Sequence, residues 1–354
     1  NQWWIGESHN TIGIGVSPLD GTIHLLFDMH AYGTNRPSDR SLSQDYFRYA
    51  YSKKNAADVS DADFTLSQFV EDKLGDYTHL SLNGKENYSV FSEFTYPKFF
   101  KNNKGDLFFS MRKGGSSNGG YHFAKYDANT SSWSNFIKFA DENAKNYEQA
   151  YNWGMYGRLK YVGNKIRIGF QRRLLNTGDK YLYQNGFYYA YSDDQSGETS
   201  WKNHQGTPIS LPLRDTQEIF VFEPGDLVQT IQKDKVFMVR GFDWTVTDRG
   251  DVHIIGLVKD NQYNVTKKVH TYKPAGAKEF ITTTDFSGAS TLYTFGNNIY
   301  IIGLNRSGRV FIEKSEGGTN DFIKIYEAKS GIRFRHGKAH INEGKLYYLS
   351  LIHI

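Results

Sequence analysis

The chain has 354 residues, a formal net charge of +4 and no cysteine. The missing cysteine excludes a disulfide framework, a thiolate metal site and a cysteine nucleophile, and it fits cytoplasm, periplasm and secretion alike. The positive surplus permits an anionic partner but is too small to indicate nucleic acid, and no run is long and apolar enough to span a bilayer.

The start at Asn1 rather than Met suggests a processed or trimmed form whose export signal has been removed. A composition of 34 Gly, 25 Tyr and 25 Phe against 7 Pro predicts many short strands joined by tight glycine turns. No Pro-rich or Ser-rich spacer, charge run or low-complexity tract interrupts it, so one large all-β domain is as plausible as two smaller ones, and residues 1–354 are taken as a single domain.

Taken in chain order, a recurring unit first appears at residues 20–26: a polar Gly or Asn turn, then a strand rich in β-branched and aromatic residues. The best helix candidate follows at residues 61–74, with apolar positions Phe64, Leu66, Phe69 and Val70. The turn–strand unit returns at 104–109, 163–168, 233–238, 249–254, 296–301 and 343–348. The last three are 47 residues apart, close to the length of one four-stranded propeller blade, about 45 residues. A sheet of that size cannot bury both faces alone, so the units must stack around an axis. Division of the chain by roughly 45 to 50 residues per blade predicts a seven-bladed β-propeller, with six or eight blades as the alternatives. Segment 189–201, through Ser192, Asp194, Gly197, Thr199 and Trp201, looks like a stretched Asp-box and predicts a hairpin.

Four side chains carry the candidate chemistry. His9 precedes Asn10, His30 closes the run 21–30, Tyr96 stands before Pro97, and Arg112 ends the run 107–112 ahead of a Gly-rich stretch. Two imidazoles, a phenol and a guanidinium are the groups needed to take a proton from the carbon beside a carboxylate. Pro97 should hold Tyr96 in an extended backbone. Arg112 has rival surface partners in Asp106 and Glu93. His24 reads as a packed or surface strand position, and His122 as a residue that could line the site.

Asn10, His122, Trp153, Tyr156 and Arg172 are the candidate substrate-binding residues, since aromatic rings stack on sugar faces and arginines bind sulfate or carboxylate. Packing between blades has an equal claim on Trp153. Arg172 and Arg173 point to opposite faces of an extended strand, so at most one of them faces a ligand.

Together, His9-Asn10, Asp20-Gly21, Asp28-Met29-His30, Thr95-Tyr96-Pro97 and Arg112-x-Gly114 resemble the motifs of the propeller-fold polysaccharide lyases that cleave ulvan, built on BNR-type repeats. The resemblance is strongest over residues 8–201 and thin beyond about 205. It implies a secreted, periplasmic or cell-surface monomer acting on an anionic sulfated polysaccharide of rhamnose and uronate, with no nucleic-acid partner. It also implies no cofactor for catalysis. Those lyases commonly carry a structural zinc held partly by cysteine; here only His253, His270, His336 and His340 remain as possible ligands of a divalent metal, and none is expected.

The resemblance further implies β-elimination. Arg112 would neutralise the uronate carboxylate, with His30 as a second donor. Tyr96, beside a cation, would take or give a proton, and His9 would act as base near neutral pH. In glucuronate the C5 proton and the C4 oxygen lie on one side, so Tyr96 alone would serve. In iduronate they lie on opposite sides, and His9 would face Tyr96 across the sugar. Two other readings compete: an exo-acting rhamnosidase, which would normally need a pair of carboxylic acids, and a non-catalytic carbohydrate-binding propeller.

Overall fold

A computed structural model describes residues 11–27, 48–70, 94–175, 178–238, 240–335, 337–342 and 345–349. These residues form six successive antiparallel units. The first is Ile12–Val16, Ile23–Phe27 and Arg48–Tyr51. The second is built on Phe94–Lys101, Leu107–Gly115 and Asn118–Asp127, and the third on Trp153–Val162, Lys165–Leu174, Gln184–Ser192 and Trp201–Asn203. The fourth runs through Asp243–Val246, Val252–Asp260, Val265–Lys273 and Ile281–Thr283. The fifth comprises Tyr293–Phe295, Asn298–Leu304, Val310–Glu316 and Ile323–Glu327, and the sixth is the hairpin Lys338–Asn342 with Lys345–Leu349. One parallel pairing, Gly119 with Gly154, joins the second unit to the third.

Five of the seven turn–strand units read from the sequence are the turns between the first and second strands of the first five units, and 343–348 supplies the second strand of the last hairpin, Lys345–Leu349. The exception is 233–238, whose short strand Val236–Phe237 pairs with Lys259 and Asp260, at the end of Val252–Asp260 and on the same edge as Asp243–Val246. The Asp-box-like segment is a hairpin, as expected. The Asp194 carboxylate accepts hydrogen bonds from Ser196 and Thr199, and the Trp201 indole donates to the Gly197 carbonyl at 2.7 Å.

The core is a series of slabs between neighbouring sheets, and consecutive aromatic residues feed different slabs. Phe108 packs toward the third unit while Phe109 packs toward the first; Tyr188 and Tyr189 divide in the same way between the second and fourth. Alternation along a strand sends neighbours to opposite faces, so a sheet covered on both sides reads as a continuous apolar run. That is why Leu107-Phe108-Phe109-Ser110-Met111-Arg112 is buried throughout. It also explains why the chain is so rich in Phe and Tyr.

The helix candidate is corrected. Residues 66–68 form one 3-10 turn, and the chain then pairs with the first unit: Val70 donates to the Tyr51 carbonyl at 2.9 Å and Lys53 to that of Gln68 at 2.8 Å. Residues 71–74 lie outside the described set. Strand pairing captured the backbone that the apolar spacing had assigned to a helix.

Candidate active site

The first strands of the units converge on a cavity of about 680 Å³. Its wall includes Ile12, Tyr96, Lys98, Tyr156, Arg158, Asp243 and Lys338, contributed by five of the six units. Of the sequence candidates, Tyr96 and Tyr156 line this space. His9, Asn10 and His30 lie outside the described residues.

Tyr96 reaches the cavity through a break in its strand. Thr95 pairs with Arg112 and Lys98 with Ser110, so Tyr96 and Pro97 stand opposite Met111 alone. The Tyr96 φ is +57°, not the extended value expected before proline. Proline has no N–H for the ladder, and a bulge at this point absorbs the extra residue and re-aims a side chain. A side-chain-bearing residue at positive φ costs about 1–3 kcal/mol, a strain held here by the flanking pairs.

Arg112 is nearly inaccessible, with 3 % exposure. Its Nε donates to the Met155 carbonyl at 2.9 Å, Nη1 to that of Gly114 at 3.0 Å, and Nη2 to that of Gly115. The guanidinium also lies 4.7 Å from the centre of the Tyr156 ring. The surface pairing with Asp106 is not formed, since Asp106 sits 3.6 Å from Lys125 instead; Glu93 is outside the described residues. Arg112 is therefore a buried charge satisfied by neutral carbonyls, placed behind a cavity-lining tyrosine. Gly154 makes room for it: a Cβ there would stand 2.7 Å from Nη2 and 2.6 Å from the Ser116 carbonyl oxygen.

The other candidates sit away from the cavity wall. His122 is buried edge-on to Phe94, its Nε2 without a hydrogen-bond partner, and burial pulls its pKa down to about 4. Trp153 belongs to the slab between the second and third units at 2 % exposure, the packing role that had an equal claim on it. Arg172 donates to Thr216 Oγ1 at 2.7 Å and lies over Tyr188, whereas Arg173 lies over Tyr183. Gln171, between them, is the residue that lines the cavity.

Sequence reasoning missed the cavity's cations. Tyr156 and Arg158 are two apart on one strand and so share a face, a signal that was present. Lys98 lies just past the bulge. Lys160 and Asp243 meet across units at 2.7 Å; nothing local announces that pair. Tyr121, also on the wall, ties two units together by donating to the Gly157 carbonyl at 2.7 Å.

Among the described residues, His253 and His270 do not fit a zinc ion. The Gly318 N–H donates to His253 Nε2 at 2.9 Å, which leaves the proton on Nδ1; that N–H donates to His270 Nε2 at 2.9 Å, and His270 Nδ1–H donates to Asn320 Oδ1 at 2.7 Å. All four ring nitrogens are thus engaged within the protein. No cluster of three or more His, Cys, Asp or Glu suited to a metal occurs among the described residues. His336 is outside them, and His340 packs beside Tyr347.

These buried imidazoles predict acid sensitivity. Burial depresses His24, His122 and His270 to about 4 and His253 to about 3, from an ordinary 6.5. Between those values the unfolded chain binds more protons, so stability is lost as pH falls from 6.5 toward 4. Glu223, raised by burial to about 7, acts in the opposite sense, but four imidazoles outweigh one carboxyl. Moving a pKa by one pH unit on folding is worth about 1.4 kcal/mol, so the net loss reaches several kcal/mol. The melting temperature should drop by roughly 10 °C or more between neutral pH and about pH 4.5; a flat profile would mean that these rings are charged in the fold.

Comparison with known proteins gives a consistent picture. Residues 2–285 match the model of a BNR repeat-containing family. The chain is 50 % identical over 355 residues to the long-isoform ulvan lyase of Glaciecola sp. (strain KUL10), covering 97 % of this chain and 35 % of that protein. It is 47 % identical to the short-isoform ulvan lyase of Alteromonas sp. (strain LOR), covering 97 % and 68 %. The crystal structure of polysaccharide lyase Uly1 superposes with a TM-score of 0.92 at 48 % identity, over 98 % of this chain and 74 % of that one. The chain thus spans about a third of the length of the long-isoform relatives.

Proposed function

The chain belongs to the BNR repeat-containing family that includes these ulvan lyases, and on that premise we propose that it is a polysaccharide lyase that cleaves ulvan by β-elimination. The observation that carries the reading is the Tyr96 phenol, held on a strained bulge at a cavity whose described lining contains cations but only one carboxylate, Asp243. Asp243 is already paired with Lys160. Hydrolysis through two free carboxylic acids therefore has no support among the described lining residues, which argues against the rhamnosidase.

In this proposal Tyr96 moves the proton. Arg112 supplies positive charge behind Tyr156, toward the carboxylate that becomes electron-rich as C5 loses its proton. His9 and His30 keep the base and donor roles expected from the sequence. Secretion, the monomeric state and a seventh blade that completes the ring belong to the same proposal; six units among the described residues, all but one contributing to a common cavity, support the radial arrangement.

Mixing the protein with ulvan should produce the ultraviolet absorbance of the conjugated C4=C5 double bond. Reducing ends without that absorbance would indicate hydrolysis, and binding without any new ends would leave only a lectin-like role. A finer outcome concerns stereochemistry: His9→Asn should slow cleavage at iduronate more than at glucuronate. Equal loss at both, measured on fragments of defined uronate, would make His9 a base or a binding residue common to the two epimers.

A further inference from the structure

We propose that the cavity contains a second anion subsite, formed by Lys98, Arg158 and Lys338, which takes a sulfate ester on a sugar adjoining the cleaved uronate. The naming of the polymer rests on the lyase reading above; the placing of the anion rests on separate geometry. The three cations come from three different units, yet all line one space. Among the described residues none of the three has a carboxylate within ion-pair distance, whereas other lysines do, such as Lys113 with Glu142 at 3.2 Å. The single lining carboxylate is spent. Asp243 Oδ1 holds Lys160 at 2.7 Å, and Oδ2 accepts the Leu292 N–H at 3.0 Å.

The cost of leaving these charges unpaired is visible at Lys98. Burial among protein atoms, together with the like charges of Arg158, Lys160 and Lys338, lowers its pKa to about 8, against the partial support of Asp243. A fold that gathers cations at such a cost gains stability when an anion arrives. A sulfate ester presents three terminal oxygens in different directions and stays charged at any working pH, which suits cations converging from three strands. A carboxylate has two oxygens in one plane, so it could meet the Arg158 fork but not all three cations at once.

Gln184 points to the carrier of that anion. It is 6 % exposed, lines the same cavity, and its Oε1 has no hydrogen-bond partner. An acceptor in that state calls for a donor. A sugar hydroxyl supplies one, which a bare sulfate ion cannot do.

The test is calorimetric titration of native and chemically desulfated ulvan oligosaccharides, and of inorganic sulfate, into the wild-type chain and into Lys98→Met, Lys98→Arg and Lys338→Met. Wild type should bind the native oligosaccharide at least about tenfold more tightly than the desulfated one, a difference of about 1.4 kcal/mol. That ratio should fall toward one in Lys98→Met and in Lys338→Met, and recover in Lys98→Arg. Equal affinity of wild type for the two oligosaccharides overturns the proposal, as does an undiminished ratio in both Met variants. Inorganic sulfate binding as tightly as the native oligosaccharide overturns the ester assignment in favour of a bare ion. Melting curves confirm folding, and Lys338→Met, on a different unit, carries the test if Lys98→Met fails to fold. Absence of an unsaturated product from ulvan would retire the lyase reading while leaving the calorimetric preference readable, so the two ideas fail separately.

Discussion

Replacement of Tyr96 by Phe is expected to lower kcat on ulvan by about two to four orders of magnitude, the span usual for loss of a positioned proton carrier. The substitution removes only the hydroxyl. The positive φ at Tyr96 and the offset pairing of Thr95 and Lys98 are backbone features set beside Pro97, so the bulge should persist and the melting temperature should change little. KM should move far less than kcat, because the ring that meets the sugar remains. Near-normal turnover would end the assignment. The phenol to examine next would then be Tyr156 rather than Tyr121, since the Tyr121 hydroxyl already donates to the Gly157 carbonyl and accepts the Gly157 N–H at 3.1 Å.

Much of the fold was readable because its punctuation is local. Gly21, Gly105, Gly163, Gly250 and Gly296 all adopt positive φ at the turns into second strands, and such turns announce themselves through the residue type they require. The apolar runs between them give the sheets. The helix expected over 61–74 failed for the opposite reason. Spacing within the segment could not reveal that Tyr51, on a neighbouring strand, would take its backbone N–H.

The site was legible only in part. Tyr96 stood out through its proline, but the sense of its backbone did not, since a bulge depends on the register of two strands. The charges behind it depend on longer connections: Lys160 meets Asp243 from 83 residues away, and Arg112 meets Met155 from 43. Trp153 shows the converse. An indole in a loop-rich, aromatic stretch suits a sugar and a blade interface equally, and only three-dimensional packing assigns it to the interface.

Arg112 carries the second large effect, and here the structure changes what its removal should do. From sequence alone, Arg112→Ala would silence the enzyme and spare the fold. With its donors committed to the carbonyls of Met155, Gly114 and Gly115, truncation also strips partners from buried backbone, at about 1–3 kcal/mol for each group left unsatisfied. Arg112→Ala should therefore lose about a hundredfold or more in kcat/KM and also melt several degrees lower. The informative pair is Arg112→Lys against Arg112→Met. Both lose the planar fork and should be destabilised alike, but only Lys retains the charge.

If that charge stabilises the developing negative charge on the uronate, the Lys variant should keep about tenfold more activity than the Met variant at matched melting temperature. Equal activity would make Arg112 a brace for the 114–116 loop and for Tyr156, with no electrostatic part in the reaction. Gly154→Ala offers an independent approach, because its new methyl would crowd both Nη2 and the Ser116 carbonyl while leaving the charge in place. If position matters as well as charge, that variant should lower kcat more than it raises KM, and a variant with unchanged kcat would show that the guanidinium can shift without consequence.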